Sequence, residues 1–140
     1  MDQAVTEQLF HRVTPDDVPA HWPAVERGIA AILAKCPKEP WTARDIRRHL
    51  RLGHAGLFVR EDGFIVVERR NEPISGEPYL NVWLMWFEPG KMNRDAIAAW
   101  LDEMVRQTRS EWWQFTSPRN GWGQALEGCC ERIGATWGRR

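Results

Sequence analysis

Tyrosine is almost missing from these 140 residues; Tyr79 is the one copy. Cysteine is sparse. Three residues, two of them the adjacent Cys129 and Cys130, exclude a disulfide framework and leave reduced thiols as the expectation. Net charge is lacking as well: lysine plus arginine and aspartate plus glutamate number nineteen each, so no overall field draws the chain to nucleic acid or to an anionic membrane. No apolar run approaches the roughly 20 residues that span a bilayer, and MDQAVTEQLFHRV has neither the basic start nor the apolar stretch of a signal peptide. The chain therefore reads as soluble and intracellular. There is no Cys-x-x-Cys, and His49 and His54 lie five apart rather than the three or four that set two ligands on one helical face, so no structural metal is expected. Ser117 lacks the glycines of a nucleophile elbow, which leaves serine chemistry unsupported.

What the chain has in plenty is tryptophan, nine copies. Indole is large, apolar and carries one N–H that needs a partner, which suits both cores and interface anchors. Nine exceeds what one core of this size uses, and points to a protein partner or a second copy meeting residues such as Trp41, Trp112 or Trp113.

The length suits one domain, with no repeat, linker or low-complexity tract. LFHRV reads as a short strand. Val18, Trp22, Val25, Ile29, Ile32 and Leu33 then recur at helical spacing, with Asp16 or Asp17 placed to cap them. In WTARDIRRHLRLGH, Thr42 and Asp45 form a variant capping box, Gly53 ends the helix, and Ile46, Leu50 and Leu52 make a thin apolar face. Its arginines, Arg44, Arg47, Arg48 and Arg51, could grip phosphates, but in a neutral chain a solvated face is the simpler reading. GLFVR, EDG and FIVVERR form a hairpin signature in which Asp62-Gly63 supplies a positive-φ turn. YLNVWLMWF alternates Leu80, Val82, Leu84 and Trp86 on one face with Tyr79, Asn81, Trp83, Met85 and Phe87 on the other, as expected of a central strand covered on both sides. Asn93 can cap a helix carrying Ile97, Trp100, Leu101, Met104 and Val105. WWQFTS is a fifth strand, Trp122, Ala125, Leu126, Cys129 and Ile133 share a last helical face, and ATWGRR reads as a closing edge strand. The order predicts an α/β or α+β sandwich: a mixed, mostly antiparallel sheet of about six strands with four helices on both faces.

That order resembles the GNAT N-acetyltransferase superfamily, and HWPAVERGIAAIL, WTARDIRRHL, GLFVR and the closing SPRNGWGQALE and IGAT are similar to small GNAT-like proteins of tailed bacteriophages. The resemblance implies a sheet that opens like a V after its fourth strand, with acetyl-CoA in the split if the protein is an enzyme. The phage likeness implies instead a non-catalytic protein-binding or virion assembly component without a cofactor, in the host cytoplasm or the virion.

The segment matching the superfamily's pyrophosphate loop is Glu88-Pro89-Gly90-Lys91-Met92-Asn93. Gly90, Lys91, Met92 and Asn93 would suit an anion at a helix N-terminus, whereas Glu88 repels one, Pro89 has no N–H and a second glycine is lacking. The segment is thus either a phosphate loop or an ordinary strand-to-helix turn. Arg119, before Gly121-Trp122, would face the cleft and meet a phosphate or a partner carboxylate; the plainer alternative is a surface arginine beside an Asn120-Gly121 turn. The resemblance also calls for a tyrosine acid on the fourth helix, where this chain offers only Cys129 or Cys130, with Cys129 on the apolar face. Glu68 and Glu88 stand as bases by position, reading otherwise as surface carboxylates.

Overall fold

Hydrophobic alternation and helix caps carry most of the architecture into the computed structural model, which describes residues 10–36, 39–91, 93–116, 131–133 and 136–139. In chain order come β1 (His11–Val13), a short 3-10 turn at Pro15–Asp17, α1 (Val18–Lys35), α2 (Ala43–Arg51), β2 (Gly56–Arg60), β3 (Gly63–Asn71), β4 (Pro78–Phe87), α3 (Arg94–Gln107), β5 (Trp113–Thr116), β6 (Glu131–Ile133) and β7 (Thr136–Arg139). The strands form one sheet in the order β1-β2-β3-β4-β5-β7-β6, every pair antiparallel except β4 with β5.

The sheet is thus mixed and mostly antiparallel, as expected, with seven strands among the described residues where about six were expected. Glu131–Ile133 supplies the extra one, so Ile133 lies in a strand and not on a helix face. It also takes the edge, placing β7 between β5 and β6. Three of the four expected helices are described; the fourth was expected on residues that lie outside the described ones, as do Cys129 and Cys130.

Two cores sandwich the sheet. On one side α3 contributes Ile97, Trp100 and Leu101, which pack on Phe58, Ile65, Val67, Leu80, Val82, Met85, Trp113 and Phe115. On the other, Val25, Ile29 and Ile32 of α1 and Ile46 and Leu50 of α2 cover Leu57, Phe64, Val66 and Leu84. A buried aliphatic side chain of this kind stabilises by about 1.5–3 kcal/mol. Trp113 is among the most deeply buried, 2% exposed, with its indole N–H donated to Asp102 Oδ1 at 2.9 Å, so it is not available to a second chain. Trp41 and Trp112 are half-buried.

Caps follow the sequence closely at α2 and α3. Thr42 Oγ1 accepts from the Asp45 amide while Asp45 Oδ2 accepts from the Thr42 amide, the reciprocal box that satisfies two otherwise orphaned donors. At α1 the expected cap is not made: Asp17 Oδ2 accepts from the Thr14 hydroxyl instead, in the 3-10 turn ahead of the helix. Leu52 does not join the thin face of α2; it follows the last turn and is 55% exposed.

The β2–β3 hairpin turns through Glu61-Asp62, with Arg60 opposite Gly63. Gly63 does not have a positive φ. Its lack of a side chain serves packing: a Cβ there would stand 2.4 Å from both Phe87 Cδ1 and the Trp86 carbonyl oxygen.

Candidate functional site

In β4 the alternation breaks beside the end of the described β4–β5 pairing. Val66 pairs with Leu84 but Val67 pairs with Val82, leaving Trp83 as an extra residue, a β-bulge. The bulge reverses the faces beyond it. Leu80, Val82, Met85 and Phe87 pack toward α3, whereas Trp83, Leu84 and Trp86 pack toward α1 and α2, correcting the strict alternation expected along this strand.

The parallel pairing of β5 with β4 covers Leu80, Asn81 and Val82. From Trp83 to Phe87, β4 has no strand partner on that side among the described residues, while β3 stays paired to it as far as Gly63↔Phe87. The bulge and the end of the described β4–β5 pairing therefore coincide within one residue. An unpaired strand edge offers N–H and C=O groups in a row, ready for an extended ligand with amides of its own.

Beyond β4 the chain makes a tight turn into α3. Lys91 N–H donates to the Glu88 carbonyl at 3.0 Å, with Pro89 and Gly90 central and Gly90 at φ +77°, the requirements of a type II turn. The Glu88 amide donates to the Asp62 carbonyl at 2.8 Å, tying this turn to the β2–β3 hairpin. Asn93 caps α3, its Oδ1 accepting from the Ala96 amide at 3.1 Å. Gly90, Lys91 and Asn93 thus lie together between the end of β4 and α3, all exposed, beside the positive end of the α3 dipole. Met92 and Arg119, expected with them, lie outside the described residues.

The α1/α2 face of the sheet centre carries a row of polar side chains that sequence inspection does not bring together. Glu68 of β3 pairs in register with Asn81 of β4, which pairs with Gln114 of β5. Asn81 Nδ2 donates to Glu68 Oε1 at 2.9 Å, and Arg70 Nε meets the same oxygen at 3.2 Å. Glu68 is 8% exposed, so it is not the surface carboxylate it resembled, whereas Glu88 is exposed. A buried carboxylate needs such partners to offset its desolvation. The available signal was Asn81, a lone amide in an otherwise apolar central strand.

Aromatic rings flank the row. Tyr79 and Trp112 stack at 4.9 Å with 7° between their planes, and Trp112 Nε1 donates to Gln114 Oε1 at 3.2 Å. On the far side, Trp83 meets Trp41 edge-on at 6.2 Å and His49 at 5.1 Å. Tyr79 therefore serves as a wall of this row at the start of β4.

A cavity of about 960 Å³ lies between β1, β2 and the C-terminal half of α3, lined by Phe10, Arg12, His54, Arg69, Met104 and Thr108 among others. Its lining reaches Val67 and Leu80 of the sheet but none of Trp83–Phe87, Gly90 or Lys91, and we do not place the chemistry there. No group of three or more metal-ligating side chains occurs among the described residues, and no described helix is long and apolar enough to cross a membrane.

No protein-family model matches the sequence, and no curated protein matches it. Solved structures do match the fold. A ribosomal-protein-alanine N-acetyltransferase from Brucella melitensis is 13% identical with a TM-score of 0.64, covering 89% of this chain and 91% of its own. A GNAT-family acetyltransferase from Listeria monocytogenes is 10% identical with a TM-score of 0.57, covering 92% of each chain. The NatC complex bound to Gag peptide and CoA is 16% identical with a TM-score of 0.58, covering 81% of this chain and 79% of that one.

Proposed function

From the premise that this chain has the GNAT acetyltransferase fold, we propose that it binds acyl-CoA in the splay beyond Val82 and transfers the acyl group to an amine. The observation that carries the reading is the coincidence of the Trp83 bulge with the end of β5 pairing, which leaves Trp83–Phe87 without a partner on the β5 side among the described residues, beside the start of α3. The pantetheine arm of CoA contains two amides, and an unpaired strand edge meets amides in the way a neighbouring strand would. The phosphates then fall to the turn that follows. There the Lys91 ammonium supplies positive charge, Gly90 keeps the surface free of a side chain, and the opening of α3 capped by Asn93 supplies amides and dipole. Met92 and Arg119 belong to the same proposed set. Bound there, acetyl-CoA supplies a thioester: a C–N bond forms to the acceptor amine as the C–S bond breaks, the amine loses a proton and the departing thiolate gains one.

A second reading follows from the turn itself. Pro89 has no N–H and the Lys91 amide is spent on Glu88, which thins the donors available to a pyrophosphate. On that reading the fold serves as a non-catalytic component, without a cofactor, that binds a protein partner or a second copy through Trp41 and Trp112, as in phage assembly in a bacterial host.

Isothermal titration of the purified chain with acetyl-CoA and with CoA separates the two. Micromolar binding, about 8 kcal/mol, is the outcome for an acyl-CoA protein. No heat at several temperatures, together with no shift in thermal midpoint, sinks that reading and favours the second.

A further inference from the structure

We infer that the row on the α1/α2 face is the acceptor subsite and that its acceptor is a free amino acid with a flat, apolar side chain, its ammonium held by Glu68 and its carboxylate by Arg70. The inference rests on the acyl-CoA reading for its catalytic meaning, but the binding it describes can be measured without CoA.

Position comes first. Asn81 precedes Val82, the last β4 residue paired with β5, and Gln114 precedes Phe115, its partner in that last pair. The row therefore lies at the closed end of the splay, where an acceptor has to approach a thioester held along Trp83–Phe87.

Chemistry then narrows the acceptor. Both polar contacts of Glu68 go to one oxygen: Asn81 Nδ2 at 2.9 Å and Arg70 Nε at 3.2 Å meet Oε1, and Oε2 has no hydrogen-bond partner among the described residues. A carboxylate with one oxygen held and one left over is a receptor for an ammonium. The neighbouring guanidinium changes which ammonium fits. Arg70 approaches side-on through Nε and its side chain is 56% exposed, so its fork sits at the rim where it meets whatever enters. A polycation would be repelled there, and a simple amine would bring no anion to Arg70 beyond Glu68 itself. A zwitterion matches both groups, because an α-amino acid carries its ammonium and its carboxylate on one carbon, and Glu68 and Arg70 lie two residues apart on the same face of β3.

The walls set the side chain. The stacked Tyr79 and Trp112, fixed to the row by the Trp112 to Gln114 hydrogen bond, stand at one end, and Trp83 stands at the other. Flat aromatic faces favour a flat or aromatic substituent.

The test uses the full chain, with L-tryptophan, tryptamine and spermidine as probes, titrated separately and with acetyl-CoA measured on the same preparations. L-tryptophan is expected to bind at least tenfold more tightly than tryptamine or spermidine. Arg70→Gln, at an exposed side chain, should erase that preference, and Glu68→Gln should weaken tryptophan tenfold or more, with acetyl-CoA affinity retained for Arg70→Gln. Tryptamine or spermidine binding as well as tryptophan, no effect of Arg70→Gln, or no tryptophan binding overturns the inference whatever acetyl-CoA does. Tryptophan binding as described with no acetyl-CoA binding upholds the amino-acid site and removes the acyl-CoA reading.

Discussion

Gly63 and Phe87 face each other across β3 and β4 so closely that a Cβ on Gly63 would stand 2.4 Å from the Phe87 ring and equally close to the Trp86 carbonyl oxygen. The ring could turn aside, but the carbonyl belongs to the strand and cannot retreat without bending β4 at its open end. Gly63→Ala is therefore expected to destabilise by roughly 1–3 kcal/mol, the usual range for overpacking. Urea denaturation with an unchanged slope checks it. Gly90 makes a useful contrast: a Cβ there meets nothing within 4 Å, yet φ is +77°, so Gly90→Ala is strained by its backbone, by about 1 kcal/mol.

Asn93 holds the first turn of α3 through its side chain, and the same residue is proposed at the phosphates. Asn93→Ala is expected to cost about 1 kcal/mol of stability, whereas Asn93→Ser, which retains a capping oxygen, should cost little. Thermal melts of the two variants separate capping from ligand contact: acetyl-CoA affinity should follow stability across the pair if the cap orders the site, and should fall in both if the Asn93 amide itself touches the ligand.

The elements that declared themselves in the sequence were those whose signals are local. The capping box of Thr42 and Asp45 and the cap at Asn93 each depend on residues three apart, and both are present. The fold order was legible for the same reason, through alternation and helical spacing. The bulge at Trp83 was not, because nothing in YLNVWLMWF marks which residue is surplus; it emerges only when Val66 and Val67 select their partners on β4. Nor was the polar row, since Glu68, Asn81 and Gln114 come from three strands and meet only through sheet register. Trp113 was misread as a partner anchor because an adjacent pair of indoles says nothing about which one faces the core.

Glu72 organises the β3–β4 loop: its Oε2 accepts from the amides of Ile74 and Ser75. Those bonds favour the carboxylate, the Ser75 amide most of all, and hold the Glu72 carboxyl below the ordinary glutamate range. With the folded value below the unfolded one, the loop gains its stabilisation above the unfolded pKa and loses it as pH falls through the folded one. Side-chain carbon NMR over the acid range should show Glu72 titrating below the ordinary glutamate range. Glu72→Gln should release the Ser75 amide to faster hydrogen exchange at neutral pH; an ordinary titration midpoint for Glu72 would remove the argument.

Lys91 offers the most direct challenge to the proposed phosphate site, because it is exposed and its backbone is already committed to the Glu88 turn. A change of side chain alone should therefore leave the fold intact. Lys91→Glu replaces an attractive charge with a repulsive one at a polyanion, and is expected to weaken acetyl-CoA by about tenfold, or 1.4 kcal/mol, at low ionic strength. The contact is solvent-exposed, so the gap between the variant and the parent should narrow as salt is raised and the Debye length falls toward about 8 Å. Lys91→Gln should sit between them. Titrations at two salt concentrations give both comparisons. Equal affinity for all three proteins at low salt would take the phosphates away from the Gly90-Lys91 turn and leave the unpaired edge of β4 as the whole of the binding surface.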